Sequence, residues 1–391
     1  MNRIDFDEYF KLQIIAMKFV RVHPNTEYNN YKTLLIAITF SFYTTYLVFF
    51  INSIINHDLQ NKDYFNAIRN IVPVAYFVSM CINYVLLIVK KKIIAKLMDH
   101  IKNDYSNMSN IDNQGRTIIH SYARKGSWIM LRVLYLASSC IVVYIMKSII
   151  VSLIYIYRDE YRYVHFHELH YPNFIDNRKQ SDMLVFIATY MGTLCYTIVT
   201  AAIFFCVIPL GPITMLHACG QLELIKNKFE DLFKKDNIDE RLNDIIKDLQ
   251  NVYSFIENIN KSFSTTYEML LKQNIIVMSL TSYAVIESVI QGNFAVEYIN
   301  LFLGGVFTCS VLCYYGDLLM EKGEEVRQAA YQSGWEHIYD RSARKKLLII
   351  LARGVQPVAI RSIFCIINLD TLANVYRTSY TIFNLMRAAG H

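Results

Sequence analysis

Apolar residues along the chain gather into runs of membrane-spanning length, separated by polar stretches. A bilayer core is about 30 Å thick, so a helix needs about 20 mostly apolar residues to cross it. Seven stretches meet that demand: 33–55, 65–89, 128–157, 183–216, 270–290, 296–320 and 357–386. The first, from Thr33 to Ile55, has no formal charge. The third carries Lys147 within it, and the fourth ends in Val207-Ile208-Pro209-Leu210-Gly211-Pro212, where a kink is expected. Pro73 predicts another near the start of the second. Between spans, residues 219–262 read as an amphipathic helix: Leu222, Ile225, Phe229 and Leu232, then Leu242, Ile245, Ile246 and Leu249, recur at helical spacing. That face is expected to pack on neighbouring helices or between subunits. The fold class is therefore an all-α membrane protein of seven helices, a single domain over 1–391 with helical anchor regions at 217–269 and 321–356.

Charge placement gives an orientation. With the N-terminus inside, the inside segments carry 26 Lys and Arg against 6 outside, as the positive-inside rule expects. Lys90-Lys91-Lys92, directly after the second span, is the sharpest local signal. Seven spans then put the C-terminus outside. Both N-x-S/T sequons, Asn107 and Asn260, fall inside, out of reach of glycosylation. The start, MNRIDFDEYFKLQ, has no apolar run followed by a cleavage site, so the first span is expected to do the targeting. Cys81, Cys140, Cys195, Cys206, Cys309, Cys313 and Cys365 lie in spans and Cys219 just inside, which leaves no outside cysteine for a disulfide.

Composition narrows the function. The 391 residues are 54% hydrophobic and only 18% charged, with a mean hydropathy of +0.24 and a net charge of +6. A disordered chain, a disulfide-framed secreted domain and a soluble enzyme fit poorly. The mild positive charge forms no stripe along which a nucleic acid would lie. No Walker loop, GxSxG, HExxH or kinase set is present, so no enzyme activity, metal or cofactor is expected. His165-Phe166-His167-Glu168-Leu169-His170 is not HExxH; it reads as a plain loop, with zinc binding or acid sensing as the alternative. Lys147 and Glu287 are candidates to pair across helices.

The last quarter is the most distinctive. Tyr314-Tyr315-Gly316-Asp317 precedes Ala329-Ala330-Tyr331-Gln332-Ser333-Gly334-Trp335. A basic stretch, Arg344-Lys345-Lys346, leads through Leu347 to Arg353 and then Gln356-Pro357-Val358. The chain closes with Ser379-Tyr380-Thr381-Ile382-Phe383-Asn384-Leu385-Met386-Arg387. This order of boxes resembles the insect odorant receptor family over about residues 314–387, and length, span number and inverted topology extend the likeness to the whole chain. The resemblance implies an odorant-gated, non-selective cation channel of four subunits in the plasma membrane of olfactory neurons. A tuning subunit of this kind would assemble with a shared co-receptor, pass monovalent and divalent cations, and bind a small volatile hydrophobic ligand. The long insertion before the fifth span that marks the co-receptor is absent. Gustatory receptors, with similar architecture and a different end, are the nearest alternative. A G-protein-coupled receptor is disfavoured by the N-in orientation, and a transporter by the lack of repeats.

The same resemblance assigns residues. The last span would line the pore, with Ser379, Tyr380, Ile382, Phe383, Met386 and Arg387 at its narrow part. Ile382, Phe383 and Met386 share a face that would form a hydrophobic gate. Tyr331, Trp335, Arg353, Gln356 and Pro357 would form the subunit anchor; Tyr331 and Trp335 also suit a membrane-surface belt. The odorant would sit in the outer half of the bundle, among Tyr76, Phe77 and Met80; Tyr144, Ser148, Val151 and Tyr155; Phe186, Tyr190 and Leu194; Tyr283, Ile286, Ile290 and Phe302.

Overall fold

In a computed structural model of the chain, which describes residues 6–23, 30–61, 63–107, 112–159, 164–167, 169–232, 237–292, 295–337 and 340–389, the protein is built of helices. Two short ones, α1 (Phe6–Tyr9) and α2 (Lys11–Phe19), precede α3 (Asn30–Ser53) and α4 (Tyr64–Val89). Then come α5 (Lys91–Ser106), α6 (Asn113–Tyr157), α7 (Asn173–Asp176) and α8 (Met183–Val207). After these follow α9 (Leu210–Glu230), α10 (Ile238–Ile290), α11 (Val296–Tyr331), α12 (Arg341–Gly354) and α13 (Leu369–Ala389). The side chains of Asp63, Asp112 and Asp182 accept a backbone N–H at the starts of α4, α6 and α8.

Six stretches are long and apolar enough to cross a membrane: 33–58, 64–89, 113–157, 183–230, 238–290 and 296–331. α13 is the seventh crossing helix of the fold, amphipathic rather than uniformly apolar, with Asp370, Arg377 and Arg387 along it. It begins at Leu369, not at Pro357. Residues 355–368 are non-helical and fold back on themselves, with Ser362 N–H donating to Cys365 O (2.8 Å) and Ile367 N–H to Ile360 O (2.9 Å). Pro357 and the restraint it places on Gln356 stop α12 ahead of this turn.

Two further differences from the sequence pattern share a cause in backbone chemistry. The fourth run breaks at Ile208-Pro209, because Pro209 lacks the N–H that would continue α8. The amphipathic stretch 219–262 is two helices, α9 and the start of α10, and Asn237, directly ahead of α10, adopts a left-handed φ of 67°. Its named apolar residues are buried within this one chain, except Ile246, which is half-buried.

The two ends of the bundle are held differently. At the end carrying α5, α9, the first half of α10 and α12, a single core surrounds α9, which is buried continuously through residues 205–220. Apolar burial from water drives that packing. Between the spans no such drive exists, because lipid is as apolar as leucine, so close contact and polar links must do the work. Gly316 shows the close contact: a Cβ there would sit 2.2 Å from Ile367 O, so α11 and the segment before α13 touch backbone to backbone. Lys147 Nζ and Glu297 Oε1, 2.6 Å apart, show the polar link. Glu297, not Glu287, is therefore the partner of Lys147; Glu287 instead accepts from Gln291 one turn on (3.2 Å).

Candidate ligand cavity and the last helix

The segment after α6 folds into the bundle instead of lying on it. Val164, Phe166, His167, Leu169 and Tyr171 are all buried. Polar side chains of the helices hold it there. Ser148 Oγ donates to Val164 O (2.9 Å), His170 N–H donates to Ser53 Oγ (3.0 Å), and Lys179 Nζ donates to Leu169 O (2.9 Å). Ser53 lies just before a single π-turn, Ile54–Asp58, that ends the first spanning helix; such turns often occur at functional sites. The rings of His57 and His170 stack there, centroids 3.3 Å apart. Glu168 lies outside the described residues.

Beneath this plug is a cavity of about 90 Å³, which by the volume one water needs holds roughly six to nine waters. Its walls come from four helices: Pro73, Tyr76 and Phe77 of α4; Leu136, Ala137, Cys140, Ile141 and Tyr144 of α6; Thr197, Thr200, Ala201 and Phe204 of α8; Leu301 and Gly304 of α11. His167 of the plug also lines it. The walls are predominantly apolar, and three of the lining hydrogen-bonding groups, Thr197, Thr200 and Cys140, are already engaged. Thr200 Oγ1 donates to Tyr196 O (2.9 Å), Thr197 Oγ1 donates to Thr193 O (3.0 Å), and Cys140 Sγ accepts from Asn300 (3.2 Å). Burial, then the nearby charges of Lys147 and Arg69, push the His167 imidazole down to about 3, so it is neutral at ordinary pH.

Of the fourteen residues expected to contact a ligand, the cavity gathers Tyr76, Phe77 and Tyr144. Ser148 holds the plug. Met80 is packed into the core around α9. Leu194 and Tyr190 pack around Tyr144 and Phe166, with Tyr190 edge-on to Phe166 at 6.0 Å. Phe186 meets the His165 ring at 5.0 Å. Val151, Tyr155, Tyr283 and Phe302 are half-buried off the cavity, and Ile286 and Ile290 are exposed on the bundle surface. The physical reason is the plug: it fills the outermost layer, so the space lies one to two turns deeper on α6 and α8. The missed wall of α6 had a signal, since Leu136 and Cys140 extend the Tyr144 face at i, i+4 spacing. The entry of His167 from a connecting segment had none.

In α13, Ile382, Phe383 and Met386 are half-buried on the side of Val375 and Ser379, which face the bundle. Ser279 Oγ donates to Ser379 O (3.0 Å), and the hydroxyls of Ser310 and Tyr376 meet at 2.7 Å. The side turned away carries Asn374, Arg377, Thr381 and Asn384, flanked by Tyr380, Leu385 and Arg387, all exposed. The hydrophobic face expected to meet its symmetry mates is thus half-buried in the single subunit, beside a largely polar stripe that is exposed. At the opposite end, Trp335 packs on the core and the Arg353 guanidinium lies 4.7 Å from the centre of the Tyr253 ring. Tyr331, Gln356 and Pro357 are exposed beside Leu348, Ile349 and Val355, an uncovered apolar patch.

Comparison with known proteins agrees with this architecture. The family model described as 7tm Odorant receptor matches residues 63–380. Among curated proteins, putative odorant receptor 92a of Drosophila melanogaster is 24% identical over 213 residues, covering 53% of this chain and 52% of that protein. Odorant receptor 13a of the same species is 22% identical over 232 residues, 54% of each. The alignment thus spans about half the length of these relatives. Among solved structures, the insect olfactory receptor OR5 from Machilis hrabei in complex with eugenol superposes with a TM-score of 0.76 at 15% identity, over 98% of both chains. A second structure of OR5 from Machilis hrabei gives a TM-score of 0.71 at 16% identity, over 97% of both chains.

Proposed function

From the membership of this chain in the 7tm odorant receptor family, we propose that it is an odorant-tuning subunit of a ligand-gated, non-selective cation channel, assembled as a heterotetramer with a shared co-receptor in the plasma membrane. The apolar cavity beneath the plug is the odorant site, and α13 is the pore-lining helix. The N-terminus is inside, as the Lys and Arg distribution favours, which puts the plug at the outer face. One observation carries the reading: an apolar cavity among four helices lies within two turns, along α11, of the contacts with a crossing helix whose uncovered stripe is polar. Arg377 and Asn384 against lipid would be costly, so that stripe belongs against water or another subunit. The exposed patch around Tyr331 and Leu348 gives the anchor end a surface on which subunits meet. A ligand of so few heavy atoms has limited binding energy, and micromolar potency is expected.

Cells expressing this chain with the co-receptor should show odour-evoked cation current across a volatile panel, and cells expressing it alone little. Ala201→Phe, which fills the cavity, should abolish the response while surface expression persists. Responses untouched by that change would refute the assignment of the cavity.

A further inference from the structure

Thr197 and Thr200 donate to carbonyls of their own helix and Cys140 accepts from Asn300, which leaves the hydroxyls of Tyr76 and Tyr144 and the imidazole of His167 as the polar groups open to a ligand. Of these, His167 is the one brought in by a connecting segment. Its side chain is more than nine-tenths buried, it lines the cavity, and its Nε2 has no hydrogen-bond partner among the described residues. The ring is also held in place. Phe50, Tyr144 and Phe166 surround it at centroid distances of 5.3, 4.8 and 5.0 Å, and Ser148, Ser53 and Lys179 fix the backbone on either side. A buried polar atom left unpaired is unfavourable, so whatever satisfies it in place gains affinity that an apolar molecule of the same shape does not. The ring is neutral, and a neutral imidazole offers one donor and one acceptor. The apolar walls reject an ion.

We propose that His167 is the polar anchor of this cavity, and that the ligand class is a compact, neutral, mostly apolar molecule carrying one oxygen function, a hydroxyl or a carbonyl, that hydrogen-bonds the imidazole. The inference rests on the cavity being the odorant site. It makes the plug, a connecting segment outside the helices, a determinant of specificity, and it predicts discrimination between isosteres differing only at that oxygen.

The experiment uses the full chain co-expressed with the co-receptor and two isosteric pairs: 4-methylphenol against 4-xylene, and acetophenone against isopropenylbenzene. The expected result is a preference of roughly three- to tenfold in EC50 for at least one oxygenated member, the size of one neutral hydrogen bond. In His167→Phe, which keeps the ring and removes the nitrogens, that preference should vanish, both members of a pair acting at the same EC50. His167→Gln should retain part of it, which separates loss of the hydrogen bond from loss of the fold. Equal response to both members, a preference that survives in His167→Phe, or silence of the surface-expressed channel to both oxygenated probes overturns the proposal. If the responses in those cases are still lost in Ala201→Phe, the cavity stands as the odorant site and only the role of His167 falls.

Discussion

The pair Lys147–Glu297 gives the most direct test of how the spanning part of the bundle is held. Glu297 is 3% exposed and its carboxylate lies 2.6 Å from the ammonium, whose side chain is 29% exposed. At that separation the attraction is about 6 kcal/mol for an effective dielectric of about 20. Desolvation of both groups consumes most of it, so the intact pair contributes little beyond an apolar pair of equal volume. Removing one partner is another matter. Lys147→Met leaves the Glu297 carboxylate buried and unpaired, at a cost of about 3–5 kcal/mol. Glu297→Leu leaves the less buried lysine, which reaches water more readily, so it should cost less than Lys147→Met. The double variant should recover to within about 1–2 kcal/mol of the parent. Thermal unfolding of the detergent-solubilised receptor, followed by fluorescence-detected size exclusion, measures all four corners of the cycle. Additive losses in the double variant would refute the reasoning, because they would mean the two charges act independently. A double variant with Glu287→Leu in place of Glu297→Leu should not rescue Lys147→Met.

Three other outcomes follow from named contacts. Gly316→Ala gains about 1 kcal/mol of helix propensity, but its Cβ would sit 2.2 Å from Ile367 O, so α11 and the turn before α13 must separate at a cost of about 1–3 kcal/mol. A lower melting temperature and lost current are expected, and parental values for both would remove the close contact from the account. Acid on the plug side should weaken ligand binding. The buried His167 titrates near 3 instead of near 6.5, so the released plug binds protons more readily than the docked one. Docking keeps its full stability above about pH 6.5 and loses it as pH falls toward 3, by about 2 kcal/mol at pH 5. EC50 should rise between pH 7 and pH 5 in the parent and not in His167→Gln; an equal rise in both assigns the effect elsewhere. Finally, a thiol-directed cationic reagent should block current through Thr381→Cys and Asn384→Cys and spare Val375→Cys, whose side chain is buried; the reverse pattern would turn α13 around.

What the sequence reveals and hides divides along physical lines. Six crossing helices are legible because membrane thickness writes itself into the chain as runs of about 20 apolar residues. α13 is not legible that way: Asp370, Arg377 and Arg387 dilute its hydropathy, and only its closing motif marks it. Its true start at Leu369 is hidden because Val358, Ala359, Ile360, Ile366 and Ile367 are apolar for another reason, as a turn packed under the bundle. The partner of Lys147 is ambiguous in sequence because α10 and α11 form a hairpin. Residues ten apart, Glu287 and Glu297, reach similar depth, and only side-chain direction separates them. The cavity was legible in its chemistry, aromatic walls with sparse polar groups, but not in its depth. Depth depends on a plug whose residues follow neither the period of a helix nor that of a strand.

The same contacts constrain how filling the cavity reaches the last helix. Leu301 and Gly304 line the cavity, and α11 continues from them to Val306 and Ser310, which meet Tyr376 of α13, about 3 and 9 Å further along the axis. Still further on, Gly316 and Asp317 touch Ile367 and Leu369. α13 is thus fastened by backbone contact with α11 just ahead of its first turn and by single hydroxyl links along its length, Ser310 of α11 to Tyr376 and Ser279 of α10 to Ser379. A neutral hydrogen bond contributes about 1 kcal/mol, whereas pulling apart the packed backbone at Gly316 or the pair at Lys147 costs several. Moving a two-state channel from 1:99 to 99:1 takes a differential of about 5.5 kcal/mol, and micromolar binding of a ligand supplies about 8 kcal/mol in total. The hydroxyl links take a small part of that differential, the other contacts most of it. On the proposed reading, in which a ligand bears on Leu301 and Gly304, these magnitudes favour a pivot of α13 on its Leu369 end, which would break the hydroxyl links and keep the Gly316 contact and the Lys147–Glu297 pair. Losing the response in Gly316→Ala while Ser310→Ala keeps it would fit that order, and the reverse would refute it.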